Sequence, residues 1–205
     1  MTITDICIPA GNEQEFLDVA RKLQIKSILF LYDAKKEIKK EELEELKQKN
    51  KDIKITTAQL ITKNTNKPGM NFAKVNIQTI ENKHITHLYD FESHDEKDNH
   101  HYRRSGLNQA AAKKIKQFNK TMIIGIEQLI TNKEPQLIIG RIQQNLELAK
   151  KYKLNVAIAS MAGKPENMRP AKEMQALIKT LGHEEIAKSA IEEITKQLRD
   201  KTKQQ

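Results

Sequence analysis

Seven short apolar stretches, separated by helical or polar patterns, constrain the fold of this chain most. They lie at residues 3–8, 25–31, 53–57, 72–77, 85–91, 121–126 and 154–160. The stretches at 25–31 and 122–126 are nearly continuous in apolar residues, which is typical of parallel strands covered on both faces. The sequence therefore predicts an α/β fold of about seven strands with a mostly parallel sheet.

Apolar stripes at helical spacing lie between these strands and after the last one. The stripes are Phe16, Val19, Ala20 and Leu23; Leu107, Ala110, Ala111, Ile115 and Phe118; Ile139, Ile142, Leu146 and Ala149; Met174, Leu177, Ile178 and Leu181; and Ala187, Ala190, Ile191, Ile194 and Leu198. Asn12 with Glu15 is expected to cap the first helix, and Gly182 to end the fourth. Each stripe is expected to pack on the sheet, in either a closed or nearly closed barrel or an open doubly wound sheet.

The charge balance favours a polyanionic partner. With 36 Lys and Arg against 27 Asp and Glu, the 205-residue chain carries a formal charge of +9, and such a surface gains from neutralising phosphates. A solvated Lys/Glu-rich surface is the alternative reading. Four Tyr, five Phe and no Trp disfavour a module that stacks bases on aromatic rings. If RNA is the partner, shape and phosphates are the expected means of recognition.

Length and composition predict one cytoplasmic domain over residues 1–205, with a polar tail at 199–205 that is expected to fray. The single cysteine, Cys7, can form no disulfide within the chain, which suits a reducing compartment. No apolar run approaches the roughly 18 to 20 residues of a membrane span. The sequence therefore predicts no membrane partner.

Catalytic chemistry finds little support in the residues. Asp5 stands in the first strand, but Ile6 to Pro9 add no imidazole to it, and a catalytic metal needs several converging ligands. His94, His100 and His101 lie in a charged segment at 92–104 without a spacing that defines a zinc site. That segment is predicted to be a long solvated loop. We expect no catalytic residue and no metal ligand in this chain.

The segment at 103–108 is the best candidate for RNA contact. Two arginines, Arg103 and Arg104, precede Ser105 and Asn108 at the start of a helix, where free backbone N–H groups favour phosphate. The outer face of that helix carries Lys113, Lys114 and Lys116. The alternative is that Ser105 merely caps the helix and the arginines are solvated. Further basic stretches lie at 35–40, 150–153 and 164–169.

A mixed face on a later helix is a candidate for contact with a partner protein. Arg141, Gln144, Asn145 and Leu148 share it at spacing i, i+3, i+4 and i+7. It could equally line a groove beside a neighbouring helix.

Three ordered stretches in the second half resemble a known family. They are Arg104-Ser105-Gly106-Leu107-Asn108; residues 143–153 running into 155–160; and Met168-Arg169-Pro170-Ala171-Lys172-Glu173-Met174 continuing to Leu181-Gly182. Their order and spacing are similar to archaeal ribonuclease P protein component three, the relative of the thirty-kilodalton subunit in eukaryotes. The resemblance covers residues 103–182 well and 5–32 loosely, whereas 35–99 match only in layout.

The resemblance implies a TIM-barrel-like fold of the polymerase and histidinol phosphatase (PHP) superfamily that lacks most metal ligands of its catalytic relatives. It implies a non-catalytic subunit that pairs with protein component two, and with other subunits, on ribonuclease P RNA. That RNA and its Mg²⁺ ions remove precursor tRNA 5′ leaders. By resemblance, 103–108 contacts RNA, with Arg169 a weaker candidate. The family tends to place His where this chain has Gln109, which puts an imidazole's role there in doubt.

Two other functions stay open at this point. One is a metal-dependent phosphoesterase that uses Asp5, Asp90 and loop histidines such as His94. The other is a protein-interaction subunit that touches no RNA.

Overall fold

A computed structural model describes residues 2–33, 38–62, 65–93, 98 and 102–203. Its seven strands form one sheet in which every neighbouring pair is parallel and the order follows the sequence. The strands are β1 (Thr4–Cys7), β2 (Ser27–Asp33), β3 (Lys54–Ile61), β4 (Asn71–Lys74), β5 (His87–Tyr89), β6 (Thr121–Gly125) and β7 (Asn155–Ala159). The prediction of a seven-stranded parallel sheet is confirmed.

Helices connect the strands and follow the last one. They are α1 (Glu13–Lys22), α2 (Lys40–Lys49), α3 (Ile77–Glu81), α4 (Gln109–Gln117), α5 (Ile126–Thr131), α6 (Pro135–Tyr152), α7 (Ala171–Thr180) and α8 (Glu184–Thr202). In the described residues, none of these is long and apolar enough to cross a membrane.

The sheet curls until its first and last strands nearly meet. An isolated parallel bridge pairs Cys7 with Ala162, and the Ile8 amide donates to the Ala162 carbonyl at 2.8 Å. Close by, the Ser160 amide donates to Oδ1 of Asp5 at 2.7 Å. The structure therefore has the nearly closed barrel rather than the open doubly wound sheet.

Alternate residues of the strands supply a core inside the barrel and cores outside it. Along β2, Leu29 and Leu31 belong to the inner cluster, whereas Ile28 and Phe30 pack outside with Phe16 of α1. The inner cluster consists of Ile6, Leu29, Leu31, Met70, Phe72, Ile123, Ala157, Ala159, Met161 and Ile194. Both faces are apolar, which explains the nearly continuous apolar runs in the sequence.

Helix α8 lies across the N-terminal ends of the strands. The Thr4 amide donates to Oγ1 of Thr195 at 2.9 Å, and the Gln197 amide group donates to Oγ1 of Thr121 at 2.8 Å. Oε1 of Gln197 also lies 2.6 Å from Nε2 of His87. Since Thr4, Thr121 and His87 each begin a strand, these bonds hold α8 over that end of the barrel.

Local details differ from expectation in two places. Asn12 precedes α1, but its side chain accepts from the Ala10 amide and donates to Glu15 rather than capping the helix. The α6 stripe buries Ile138 in place of the expected Ile139.

Candidate nucleic-acid interface

The 103–108 segment packs against the C-terminal ends of β4 and β5 before it enters α4. The Gly106 amide donates to the Phe91 carbonyl at 2.6 Å. A Cβ at Gly106 would lie 2.7 Å from a methyl group of Val75, so only glycine lets the chain approach this closely. The segment is thereby fixed on one end of the barrel.

Asn108, rather than Ser105, caps helix α4. Its Oδ1 accepts from the Ala111 amide at 2.9 Å, which satisfies one of the free N–H groups of the first turn. The Ser105 hydroxyl instead donates to Oδ1 of Asn145 at 2.7 Å. The reading in which Ser105 caps the helix is therefore wrong, and Ser105 ties the segment to α6.

Arg103 is held on the surface of α6 by Gln144 and Gly140 of that helix and by the nearby Asp98. Its amide donates to Oε1 of Gln144, and its carbonyl accepts from Nε2 of the same side chain, both at 2.9 Å. Its guanidinium lies 3.3 Å from Asp98 and directly over Gly140, where a Cβ would overlap it. The side chain is nevertheless 47% exposed. Arg103 is thus both positioned and accessible.

The other basic candidates divide by their contacts. Arg104 is exposed, and its amide donates to Oδ1 of Asp98 at 2.8 Å. Lys113 is exposed on α4, whereas Lys114 pairs with Glu81. The sequence-predicted basic face of α4 exists, but only part of its charge faces solvent without an ion pair among the described residues.

Arg169 lies in a different part of the barrel, beyond β7. Its amide donates to Oγ of Ser160 at 2.9 Å, and its guanidinium donates to the carbonyls of Glu166 and Met168 at 2.9 and 2.7 Å. The structure does not bring Arg169 together with the 103–108 segment.

A buried polar cluster supports the segment from below. Glu92, Arg141 and Asn145 are each at most 1% exposed. Arg141 donates to the Glu92 carbonyl at 2.7 Å and pairs with Asp98 at 3.0 Å, and Asn145 donates to Oε1 of Glu92 at 2.8 Å. Buried charges of this kind are tolerated because hydrogen bonds and an opposite charge satisfy them.

This burial corrects the expectation for Arg141 and Asn145. Both were candidates for direct contact with a partner protein, but their side chains lie inside the molecule. Their i, i+4 spacing on α6 serves to bind Glu92, Asp98 and Ser105, and so to hold the loop between β5 and α4. Their contribution to any interface is to position Arg103 and its neighbours.

The pKa values of the two carboxyl groups beneath the segment, Glu92 and Asp98, are shifted in opposite directions. Burial raises the pKa of Glu92 to about 7, against the opposing hydrogen bond from Asn145. Burial alone would raise the pKa of Asp98 as well, but hydrogen bonds from the Arg104 amide and from Arg141 bring it below its ordinary value. Asp98 is therefore the charged partner of the arginines, and Glu92 is partly protonated near neutral pH.

Sequence reasoning missed Glu92 and Asp98 because it assigned 92–104 to a solvated loop, and it placed Gln144 on a possible partner face without its contact with Arg103. The available signal was the pair of acidic residues in that loop together with a basic and an amide residue on one face of α6. Of the loop's histidines, His94, His100 and His101 lie outside the described residues.

Asp5 and Asp90 occupy separate strand ends. Asp5 is 2% exposed, its Oδ1 accepts from the amides of Ile6 and Ser160, and burial raises its pKa to about 6. Asp90 follows β5 and pairs with Lys74 at 2.8 Å. In the parts of the chain that the structure describes, no three His, Cys, Asp or Glu side chains lie close enough to hold a metal.

Comparison with known proteins identifies the fold. No protein-family model and no curated protein matches this chain. A chain in a cryo-EM structure of archaeal ribonuclease P with mature tRNA is similar at a TM-score of 0.76 and 20% identity, over 94% of this chain and 88% of that one. Histidinol phosphate phosphatase from Lactococcus lactis subsp. lactis Il1403, complexed with zinc, histidinol and phosphate, gives 0.62 and 11%, over 88% and 94%. The predicted TIM-barrel-like, PHP-like fold is confirmed.

Proposed function

We propose that this chain is a protein subunit of a ribonuclease P ribonucleoprotein, in which it holds RNA and does not itself cleave it. The observation that carries the proposal is the fold it shares, over nearly its whole length, with a protein chain of the archaeal particle. The ordered stretches at 103–108, 143–160 and 168–182, which resemble component three of that particle, support the same conclusion from the sequence.

The 103–108 segment is the proposed contact with RNA. Gln144 fixes the backbone of Arg103, and its exposed guanidinium lies against Asp98 and Gly140, so little side-chain freedom is lost when it meets a phosphate. Arg104 and Lys113 add exposed charge on the same side of the barrel as the start of α4. Contacts to phosphates fix the register of a protein on RNA without reading its sequence.

The proposed partners follow from the same resemblance. They are ribonuclease P RNA, protein component two and other protein subunits, with Mg²⁺ bound by the RNA rather than by this chain. The proposed process is removal of precursor tRNA 5′ leaders in the cytoplasm, with the phosphoester bond cleaved at the RNA. Within the protein, the buried Glu92–Arg141–Asn145 cluster acts as a support for the RNA-contacting loop.

Reconstitution tests the proposal directly. Precursor tRNA cleavage by ribonuclease P RNA at limiting Mg²⁺ is measured with and without this chain plus component two. We expect a clear rate gain with both proteins, lost in an Arg103→Ala/Arg104→Ala variant and kept in a Lys179→Ala/Lys188→Ala control of equal charge loss. No gain from the wild-type pair would refute the subunit assignment. Assembly unchanged in the arginine variant would favour a subunit that touches only protein.

A metal-dependent phosphoesterase is the second candidate, favoured by the fold shared with the zinc-complexed phosphatase. It requires ligands beyond Asp5 and Asp90, such as His94. Phosphoester hydrolysis by the purified protein in added Mn²⁺ or Zn²⁺, abolished by Asp5→Ala, would support it. Hydrolysis that is independent of the metal would remove it.

A further inference from the structure

A depression of about 430 Å³ opens beside the N-terminal ends of β3 and β4. Three lysines line it: Lys54, Lys67 and Lys201. The other described residues that line it are uncharged, so none of them supplies a carboxylate to balance the lysines. Since the 103–108 segment packs at the C-terminal ends of the strands, this basic depression lies at the opposite end of the barrel.

Each lysine stands on a backbone that the fold holds in place. Lys54 is the first residue of β3, and its amide donates to the Lys26 carbonyl at 2.8 Å. The turn at Lys67 is fixed by Asn71, which is 2% exposed and whose Nδ2 donates to the carbonyls of Lys67 and His84, both at 2.8 Å. Lys201 follows Leu198 on α8, and Leu198 packs against the barrel interior. The fold therefore fixes the backbone positions of the three lysines around the depression.

The wall of the depression offers hydrogen-bond donors as well as charge. Strand β3 begins at Lys54, but its pairing with β4 begins only at Gln59. Residues 54–58 therefore have no strand partner on the β4 side, where an unpaired strand edge presents backbone N–H and C=O groups. Oγ1 of Thr56, a lining residue, is buried and has no hydrogen-bond partner in the described residues.

We propose that this depression binds a phosphate group and, resting on the proposed function, that the phosphate belongs to the RNA backbone. Three lysines without a lining carboxylate repel one another, and an anion with several acceptor oxygens relieves that repulsion. The same oxygens accept from Thr56 and from the free strand edge. The eight residues of β3 span roughly 26 Å, so RNA held at both ends of the barrel crosses one side of the molecule.

Two measurements test the site and its source separately. In the first, inorganic phosphate and pyrophosphate are titrated into the isotope-labelled full chain, and amide chemical shifts of Thr56, Asn71 and Thr202 are followed. In the second, affinity for ribonuclease P RNA is measured across salt concentrations for the wild type and for Lys54→Gln/Lys67→Gln/Lys201→Gln. The control is Lys133→Gln/Lys179→Gln/Lys188→Gln, which removes the same charge from exposed positions outside this depression. Thermal unfolding confirms that both variants fold.

We expect phosphate-dependent shifts that the site variant loses. We also expect the slope of log affinity against log salt to fall by about 0.7 to 0.9 in the site variant, since that is the contribution of the one phosphate that the depression holds. The slope should fall clearly less in the control variant.

Phosphate-dependent shifts with an unchanged slope for RNA would assign the site to a small phosphate-bearing molecule. No shifts together with a slope change equal to that of the control would overturn the site. If the wild type binds ribonuclease P RNA no better than unrelated RNA, the subunit proposal fails while the phosphate titration still decides the site.

Discussion

At the scale of single residues, the buried cluster beneath the 103–108 segment contains a carboxyl group that is only partly charged near neutral pH. Glu92 is 1% exposed, and its Oε1 accepts from Asn145. In an unfolded chain the same carboxyl has a pKa near its ordinary value of 4.5, whereas burial raises it to about 7 in the folded protein. The folded state therefore binds the proton more tightly, and its stability depends on pH.

The Glu92→Gln variant isolates that dependence. Between pH 4.5 and about 7 the folded wild type holds more protons at this site than the unfolded chain, so its free energy of unfolding falls as pH rises. Glutamine keeps the acceptor for Asn145 and does not titrate. Relative to the wild type, the free energy of unfolding of the variant should therefore rise by up to about 3 kcal/mol between pH 4.5 and 8. Urea unfolding at each pH measures it. A difference that stays constant with pH would contradict the raised pKa.

Gly140 is a second residue whose role is local and testable. Its missing side chain leaves room for the Arg103 guanidinium on α6. In Gly140→Ala the helix gains up to about 1 kcal/mol of propensity, while the flexible end of Arg103 must move away. We expect thermal stability to change little and affinity for ribonuclease P RNA to fall towards that of Arg103→Ala.

The matched control for Gly140→Ala is Gln143→Ala, an exposed position on the same helix, which should leave RNA affinity unchanged. If Gly140→Ala keeps its affinity for ribonuclease P RNA and Arg103→Ala loses it, Arg103 acts without its contact with Gly140 on α6.

At the scale of elements, α8 does more than cover the outside of the sheet. Ile194 is 1% exposed and belongs to the cluster inside the barrel, and Thr195 and Gln197 bind residues that begin strands. The helix thus supplies the barrel interior with part of its core at the end where the strands start. A TIM-barrel-like fold needs such filling because its interior is packed rather than hollow.

Ile194→Ala is expected to lower the free energy of unfolding by about 2 to 5 kcal/mol, since it leaves a cavity in that core. Lys196→Ala, two residues along the same helix and exposed, should change it by less than about 0.5 kcal/mol. Chemical denaturation of the two variants gives the comparison. If the two variants lost equal amounts of unfolding free energy, α8 would stabilise the protein through its exposed face and not through the barrel interior.

Comparing the predicted with the observed elements shows which strands and helices the sequence could predict. Parallel strands covered on both faces leave nearly continuous apolar runs, so all seven were predictable, although β4 ends at Lys74 where the apolar pattern continues to Ile77. Helix α2 went unpredicted because its apolar face is short: none of its residues is fully buried, and Leu43 and Leu46 pack against the outer core only in part.

The candidate site was predictable only in part, for a physical reason. The arginines of the 103–108 segment were visible as adjacent charges before a helix. Their supports were not, since Arg141 lies 43 positions from Asp98, and a polar i, i+4 pair looks the same whether it faces solvent or a buried loop. Only the fold decides which polar residues turn inward.

At the scale of the whole molecule, the barrel is closed by few contacts at one seam, which lies between β1 and the residues that follow β7. Neighbouring strands elsewhere are paired along ladders, but β1 and β7 are joined by a single bridge between Cys7 and Ala162 and by the contact of Ser160 with Asp5. Stability is distributed unevenly in such a structure, and the region with fewest backbone hydrogen bonds opens first.

Hydrogen exchange measured by mass spectrometry should detect that seam. We expect amides of β1 and of residues 160–163 to exchange before those of β2, which is paired with β3 along its whole length and with β1 from Ser27 to Phe30. Uniform protection around the barrel would mean that α8 closes the seam as firmly as a strand ladder.

The bond between Thr4 and Thr195 joins residues 191 positions apart. During translation, at about 5 to 20 residues per second, the first strand therefore waits at least several seconds for the helix that completes its surroundings. Throughout that interval α8 does not yet cover the N-terminal ends of the strands, and the interior of the barrel at that end is open to water. The end of the barrel at which the strands begin is therefore completed only once α8 has been made.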